Sequence, residues 1–215
     1  MSKLRAAVLI SGRGTNMGAL ARAAMDTDYP VEIVQVLSNR PHVPGLELAT
    51  KHNIPFRVVD QSEFDTREDH EAAMDAALRE SKADIVCLAG YMRILGEDFI
   101  NRWRGQIINI HPSLLPSFRG VDTHERALLQ GVRVHGCTVH FVNAELDGGP
   151  IIAQATVPVH PGDTAEALSE RVLKAEHILF PHALALIANK RIRWTGDSAV
   201  KDLDVAVDDV LLRVD

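Results

Sequence analysis

Short apolar runs alternate along the chain with longer stretches in which apolar residues recur every three or four positions. The runs Arg5–Ile10, Glu32–Ser38, Phe56–Asp60, Ile85–Ala89 and Gln106–Ile110 predict strands. Between them, the periodic stretches near Asn16–Met25, Gly45–His52, Asp65–Ser81 and Gly96–Trp103 predict helices. The third opens on Asp65-Thr66-Arg67-Glu68, which reads as an acidic N-cap with Glu68 closing a capping-box variant. Strand-helix alternation of this kind predicts an α/β chain with a mostly parallel, doubly wound sheet.

After Ile110 the pattern changes. A loop of turn residues runs to about Thr123, followed by a helix over Glu125–Gln130. Two β-rich runs, Gly136–Val142 and Pro150–Val157, flank the segment "NAELDGG", and a long helix spans Thr164–Asn189. A short strand, Ile192–Thr195, follows. The acidic stretch from Gly196 reads either as a mobile terminus or as a small capping element. Residues 1–195 are expected to form one domain and 196–215 a tail.

Composition narrows the function classes. A chain of 215 residues with 46% hydrophobic residues can bury a proper core. The net charge of −6 argues against a broad nucleic-acid surface, and anionic ligands would need local pockets. Cys87 and Cys137 stand far apart in no paired motif, so free thiols of a cytoplasmic protein are expected. The apolar run near the N-terminus is too short for a membrane span. His135 and His140 sit at an odd strand spacing, on opposite sides, and no His/Cys cluster has ligand spacing; no metal is expected.

In open α/β sheets ligands sit beyond the carboxyl ends of the strands. The first strand leads into Ser11-Gly12-Arg13-Gly14-Thr15-Asn16, where a helix begins. Glycines permit a tight turn, and a helix start offers N–H groups to a phosphate, with Thr15 and Asn16 as caps and donors. The stretch matches neither the ATPase loop nor a complete dinucleotide fingerprint, so a small phosphate site and a plain tight turn both remain open. The fifth strand ends in Asn109-Ile110-His111. Positions i and i+2 share a strand face, so a carboxamide donor and a proton-handling imidazole project together. That pair suits acyl transfer, in which a carbonyl oxygen gains charge and an amine loses a proton. A turn cap and a satisfied half-buried histidine are the bland alternative. Asp147, in "ELDGG", could orient His111 and stabilise its protonated form, or simply form an Asp-Gly hairpin turn.

The segments "VLISGRGTN", "LAGYMRIL", "INIHPSLLPSF", "HGCTVHFV" and "ELDGGPIIAQ" resemble, in order and spacing, the folate-dependent phosphoribosylglycinamide formyltransferase family, over most of Val8 to about Trp194. The resemblance implies a Rossmann-like formyltransferase fold in which the formyl group of 10-formyltetrahydrofolate passes to glycinamide ribonucleotide in purine biosynthesis, without a metal. It implies Asn109, His111 and Asp147 as the catalytic trio. Gly14, Thr15, Asn16 and Glu176 would then meet the ribonucleotide, and Arg67, Met92, Arg93, Ile94, Leu95 and Asn109 the folate. Arg119 and Asp122 stand where many relatives carry proline and histidine, and their side chains are assigned no role; Leu173 stands where some relatives carry a polar residue that contacts the ribonucleotide. The nearest rival is a 10-formyltetrahydrofolate hydrolase, which would carry an extra N-terminal domain where this first strand starts at about Leu4. The expected partners are small molecules, with no nucleic acid and no membrane, acting on a monomer or homodimer.

Overall fold

The structure is a computed structural model that describes residues 2–196, 200–202 and 206–214. It divides into two compact units, Met1–Asn109 and Ile110–Asp215.

The first unit holds β1 (Leu4–Ile10), α1 (Thr15–Ala24), β2 (Val31–Ser38), α2 (Pro44–Lys51), β3 (Phe56–Val58), α3 (Arg67–Glu80), β4 (Ile85–Leu88), α4 (Glu97–Arg102) and β5 (Ile107–His111), which runs on into the second unit. The strand order is β3-β2-β1-β4-β5, and every pairing is parallel. The central strand β1 buries Ala6 to Ile10 without a break, as a parallel strand covered on both faces must. The chain walks outward from β1 through β2 to β3, then returns to place β4 on the other side of β1. Right-handed crossovers therefore put α1 and α2 on one face and α3 and α4 on the other. The switch point lies between the ends of β1 and β4.

Two sequence expectations shift for local reasons. β3 stops at Val58 because Asp60 turns to accept Ser62 N–H at 2.9 Å and starts a 3-10 turn over Gln61–Glu63. The α3 cap is Thr66 rather than Asp65. Its hydroxyl accepts Asp69 N–H at 3.1 Å and donates to Asp69 Oδ2 at 2.7 Å, so Asp69 takes the place expected of Glu68.

The second unit holds α5 (Thr123–Leu129), β6 (Val134–Phe141), β7 (Ile151–Pro158), α6 (Ala165–Ala188), β8 (Ile192–Trp194), β9 (Val200–Asp202), α7 (Val207–Val210) and β10 (Leu211–Arg213). β6 and β7 pair antiparallel, with a register slip between Val139 and His140, and β8 pairs antiparallel with β9. α6 packs on both β6 and β7 through Leu168, Val172, Leu179, Phe180 and Leu184. The described part of the acidic tail is a capping element. β10 adds in parallel to β7, Leu211 opposite Gln154, while Arg191 holds Asp209 at 2.7 Å. The rest of the tail lies outside the described residues. Among the described residues, no helix is long and apolar enough to cross a membrane.

Candidate active site

In the first unit, the switch point is flanked by the turn after β1. α1 begins at Thr15 with Gly14 as its N-cap, so the helix start carries no side-chain cap. Thr15 and Asn16 are the first two helical residues, not the caps expected from sequence. A ten-residue helix that opens on an uncapped glycine directs its first-turn N–H groups outward, which suits a phosphate. Gly14 cannot be exchanged cheaply. Its φ is 69°, and an added Cβ would lie 2.7 Å from Gly45 Cα in the turn that starts α2. Gly14→Ala is expected to cost about 1–2 kcal/mol from the left-handed backbone alone, before the clash. Chemical denaturation checks the stability loss, and the KM for a phosphorylated acceptor should rise with it.

The segment after β4 flanks the other side. Ser11 N–H donates to Gly90 O at 3.2 Å, and Gly90 turns with φ 74°. Met92 and Ile94 then stand 71% and 67% exposed, while Leu95 is buried beneath them. Exposed apolar side chains beside a switch-point crevice suit a flat ring ligand. Arg67, the first residue of α3, lies 3.5 Å from Glu68 and 4.0 Å from Glu71. The buried Glu71 accepts Gly96 N–H at 2.7 Å, tying the start of α3 to the end of this segment. Asn109 pairs with Leu88 at the end of β4 and is half-buried.

In the second unit, His111 ends β5 and is buried. Its Nε2 lies 3.0 Å from the Phe118 carbonyl oxygen, and its Nδ1 lies 3.5 Å from Asp147 Oδ2. Each ring nitrogen thus faces an oxygen that can only accept. Asp147 also accepts Gly120 N–H at 2.8 Å. The loop that brings Phe118 back to His111 is built by Thr138 on β6. Its hydroxyl donates to Ser113 O at 2.7 Å and accepts Leu115 N–H at 3.0 Å, while Gln154 donates to Leu115 O at 3.0 Å. The Leu115–Pro116 bond is cis. Arg126 donates to the carbonyls of Arg119 and Val121 at 2.6 and 3.1 Å, and Arg119 pairs with Glu145 beside the Asp147 turn. Gly149 closes that turn where a Cβ would meet Phe141 O at 1.8 Å, so only glycine fits.

His140 is a neighbour that spacing did not suggest. It lies beside the register slip, where Ile152 of β7 is passed over in the pairing, and its Nε2 reaches to 3.8 Å from Asp147 Oδ1. Burial pushes its pKa down to about 4 and outweighs the Phe141 carbonyl and Asp147, which pull the other way. It is therefore neutral at pH 7, and its contact with Asp147 is not an ion pair. Burial, with the nearby His124 and His111 adding to it and the Pro112 carbonyl opposing, also brings His135 down to about 4. The sign of the pH dependence follows. The unfolded chain takes up these protons near the ordinary 6.5, and the folded chain only near 4. Stability is fully present above that window and falls as pH drops through it. A urea midpoint at about pH 5.5 is expected below that at about pH 7.5, and equal midpoints would mean that these rings protonate in place.

Glu176, on α6, which the resemblance assigned to the ribonucleotide, is only 7% exposed. Carboxylates are seldom buried without a task or a partner. After burial itself, Glu176 is the next cause of the high pKa of the Cys137 thiol. Both cysteines are free and buried. Among the described residues, no group of three or more His, Cys, Asp or Glu side chains is arranged to hold a metal ion.

A doubly wound α/β unit with a glycine turn at its switch point, and a fifth strand that ends on a carboxamide and an imidazole, has the make-up of an α/β enzyme. Comparison with known proteins gives the particular kind. Residues 4–184 match the formyl transferase family, and the chain belongs to that family. It is 50% identical over 192 residues to the trifunctional purine biosynthetic protein adenosine-3 of Gallus gallus, covering 89% of this chain but only 19% of that protein. It is 39% identical over 196 residues to the phosphoribosylglycinamide formyltransferase of Haemophilus influenzae, covering 91% of this chain and 92% of that one. The crystal structure of phosphoribosylglycinamide formyltransferase from Anaplasma phagocytophilum superimposes with a TM-score of 0.90 at 45% identity, covering 99% and 98% of the two chains. The Rossmann-like formyltransferase fold expected from sequence is the fold observed.

Proposed function

We propose that this enzyme transfers the formyl group of 10-formyltetrahydrofolate to the amine of glycinamide ribonucleotide, a step of purine biosynthesis. The observation that carries the reading is the strand end Asn109-x-His111 with Asp147 at 3.5 Å, in a chain alike over nearly its whole length to an enzyme named for this reaction. Residues 1–195 form the formyltransferase domain and 196–215 an acidic tail. The protein acts in the cytoplasm as a monomer or homodimer, on small-molecule substrates alone.

The turn at Gly14, Thr15 and Asn16 binds the ribonucleotide phosphate, and Glu176 binds the rest of that substrate. Arg67, Met92, Arg93, Ile94 and Leu95 hold the folate, with Asn109 at the formyl group. The acceptor amine attacks the formyl carbon, a C–N bond forms, and the carbonyl oxygen becomes an oxyanion. Asn109 donates to it. His111, turned from the Phe118 carbonyl and held by Asp147, adds a second donor. The bond to N10 of the folate then breaks, and the proton lost by the amine passes to N10 through His111 or a water. The rival hydrolase would use water as nucleophile and has no use for a phosphate turn. The test is formyl transfer followed by absorbance, with and without glycinamide ribonucleotide. Turnover that requires the ribonucleotide and yields its formyl product is expected; turnover without it would point to hydrolysis.

A further inference from the structure

The Met92–Leu95 segment is held by a circuit of hydrogen bonds that converges on one acceptor, Gln61 Oε1, and that the reaction itself does not use. Met92 N–H donates to Ser11 Oγ at 2.8 Å. Having accepted there, the Ser11 hydroxyl donates to Asn39 Oδ1 at 2.6 Å. That fixes the Asn39 carboxamide, whose Nδ2 donates to Gln61 Oε1 at 2.9 Å. The same Gln61 oxygen accepts from Arg93 Nη1 at 3.1 Å. The circuit thus starts on the backbone of Met92 and ends on the side chain of Arg93.

Its members come from four separate places: the ends of β1, β2 and β4 and the 3-10 turn after β3. Both terminal groups, a backbone N–H and a guanidinium, can only donate. The direction of every bond between them follows from that fact. Ser11 and Asn39 are buried, so a broken link cannot be replaced freely by bulk water. Met92 and Ile94 meanwhile present their apolar side chains outward from the segment so anchored, with little packing of their own to hold them.

We propose that Ser11, Asn39 and Gln61 are positioning residues for the formyl donor, acting by setting the shape of the Met92–Leu95 segment. This rests on the reading above that the segment binds the folate. None of the three touches the reacting atoms.

Asn39→Asp tests the direction of the circuit with one atom. It puts an acceptor opposite Gln61 Oε1. Gln61 must then turn its amide, which aims a donor at Arg93, itself only a donor. The expected result is a KM for 10-formyltetrahydrofolate raised about tenfold, the scale of one lost buried hydrogen bond, with the KM for glycinamide ribonucleotide and kcat little moved. Gln61→Leu, at a half-buried position, should raise the same KM and serves if Asn39→Asp does not fold. Gln61→Glu keeps the acceptor and adds charge opposite Arg93, so it should recover most of the affinity lost in Gln61→Leu. An unmoved folate KM in both Asn39→Asp and Gln61→Leu, or losses shared equally by both substrates, overturns the proposal. Ile94→Asp separates that failure from a failure of the underlying reading. If Ile94→Asp raises the folate KM while the circuit variants do not, the segment binds folate and the circuit is only structural. If Ile94→Asp leaves it unmoved, the segment is not the folate site and both readings fall.

Discussion

Asn109→Ala is expected to lower kcat by about two to three orders of magnitude, the effect typical of removing one preorganised oxyanion donor. The protein should stay folded. Asn109 is half-buried at the carboxyl end of β5, while the core contacts of that strand are made by its buried neighbours Ile107, Ile108 and Ile110. Truncating the carboxamide therefore removes a donor without opening the core. Because the oxygen is a strong acceptor only in the tetrahedral state, the loss should fall on kcat more than on either KM. Steady-state kinetics beside a thermal melt read both halves of the expectation. Near-normal turnover in the folded variant would remove Asn109 from the chemistry.

His111→Ala is expected to cost about 10²–10⁴ in turnover, the range for a positioned proton-transfer group. It differs from the first variant in its structural consequences. The Phe118 carbonyl and Asp147 both lose the ring that faces them, while Asp147 keeps Gly120 N–H as a donor. Some loss of stability should accompany the loss of rate. His111→Gln separates the two. A glutamine can still donate toward one acceptor and hold the loop but cannot relay a proton at neutral pH. It should recover stability without recovering turnover, read by denaturation and by kcat on the same preparation. Recovery of both would make His111 a loop anchor rather than a proton carrier.

Much of the first unit was legible because its strands are buried on both faces. Ala6–Ile10 can be nothing but a central parallel strand, and the turn after it announces itself by its glycines. The placing of the candidate residues after the strands followed from the alternation of elements. The shared face of Asn109 and His111 also followed, since period-two geometry is local. What failed was whatever depended on a single hydrogen bond or on an irregularity. Thr66 took the cap from Asp65 because its hydroxyl reaches Asp69. His140 stands 3.8 Å from Asp147, a neighbour that counting along β6 could not name. Spacing said nothing of the distance from His111 to Asp147, because 36 residues and two changes of direction separate them. The circuit through Ser11, Asn39, Gln61 and Arg93 left no pattern at all. Its members share no period and come from four separate turns. Glu176 sits in an apolar helix stripe where a lone acid reads as surface, and its burial is visible only in three dimensions.

The tail bears on how the molecule behaves among its own copies. β7 pairs with β6 on one side, and on the other Leu211–Arg213 runs beside Gln154–Thr156. Left bare, that side would offer a row of unsatisfied backbone groups to any passing strand. The short strand Leu211–Arg213 occupies three positions of that row. It acts as a selvedge, the finished margin that keeps a woven cloth from joining or fraying at its border.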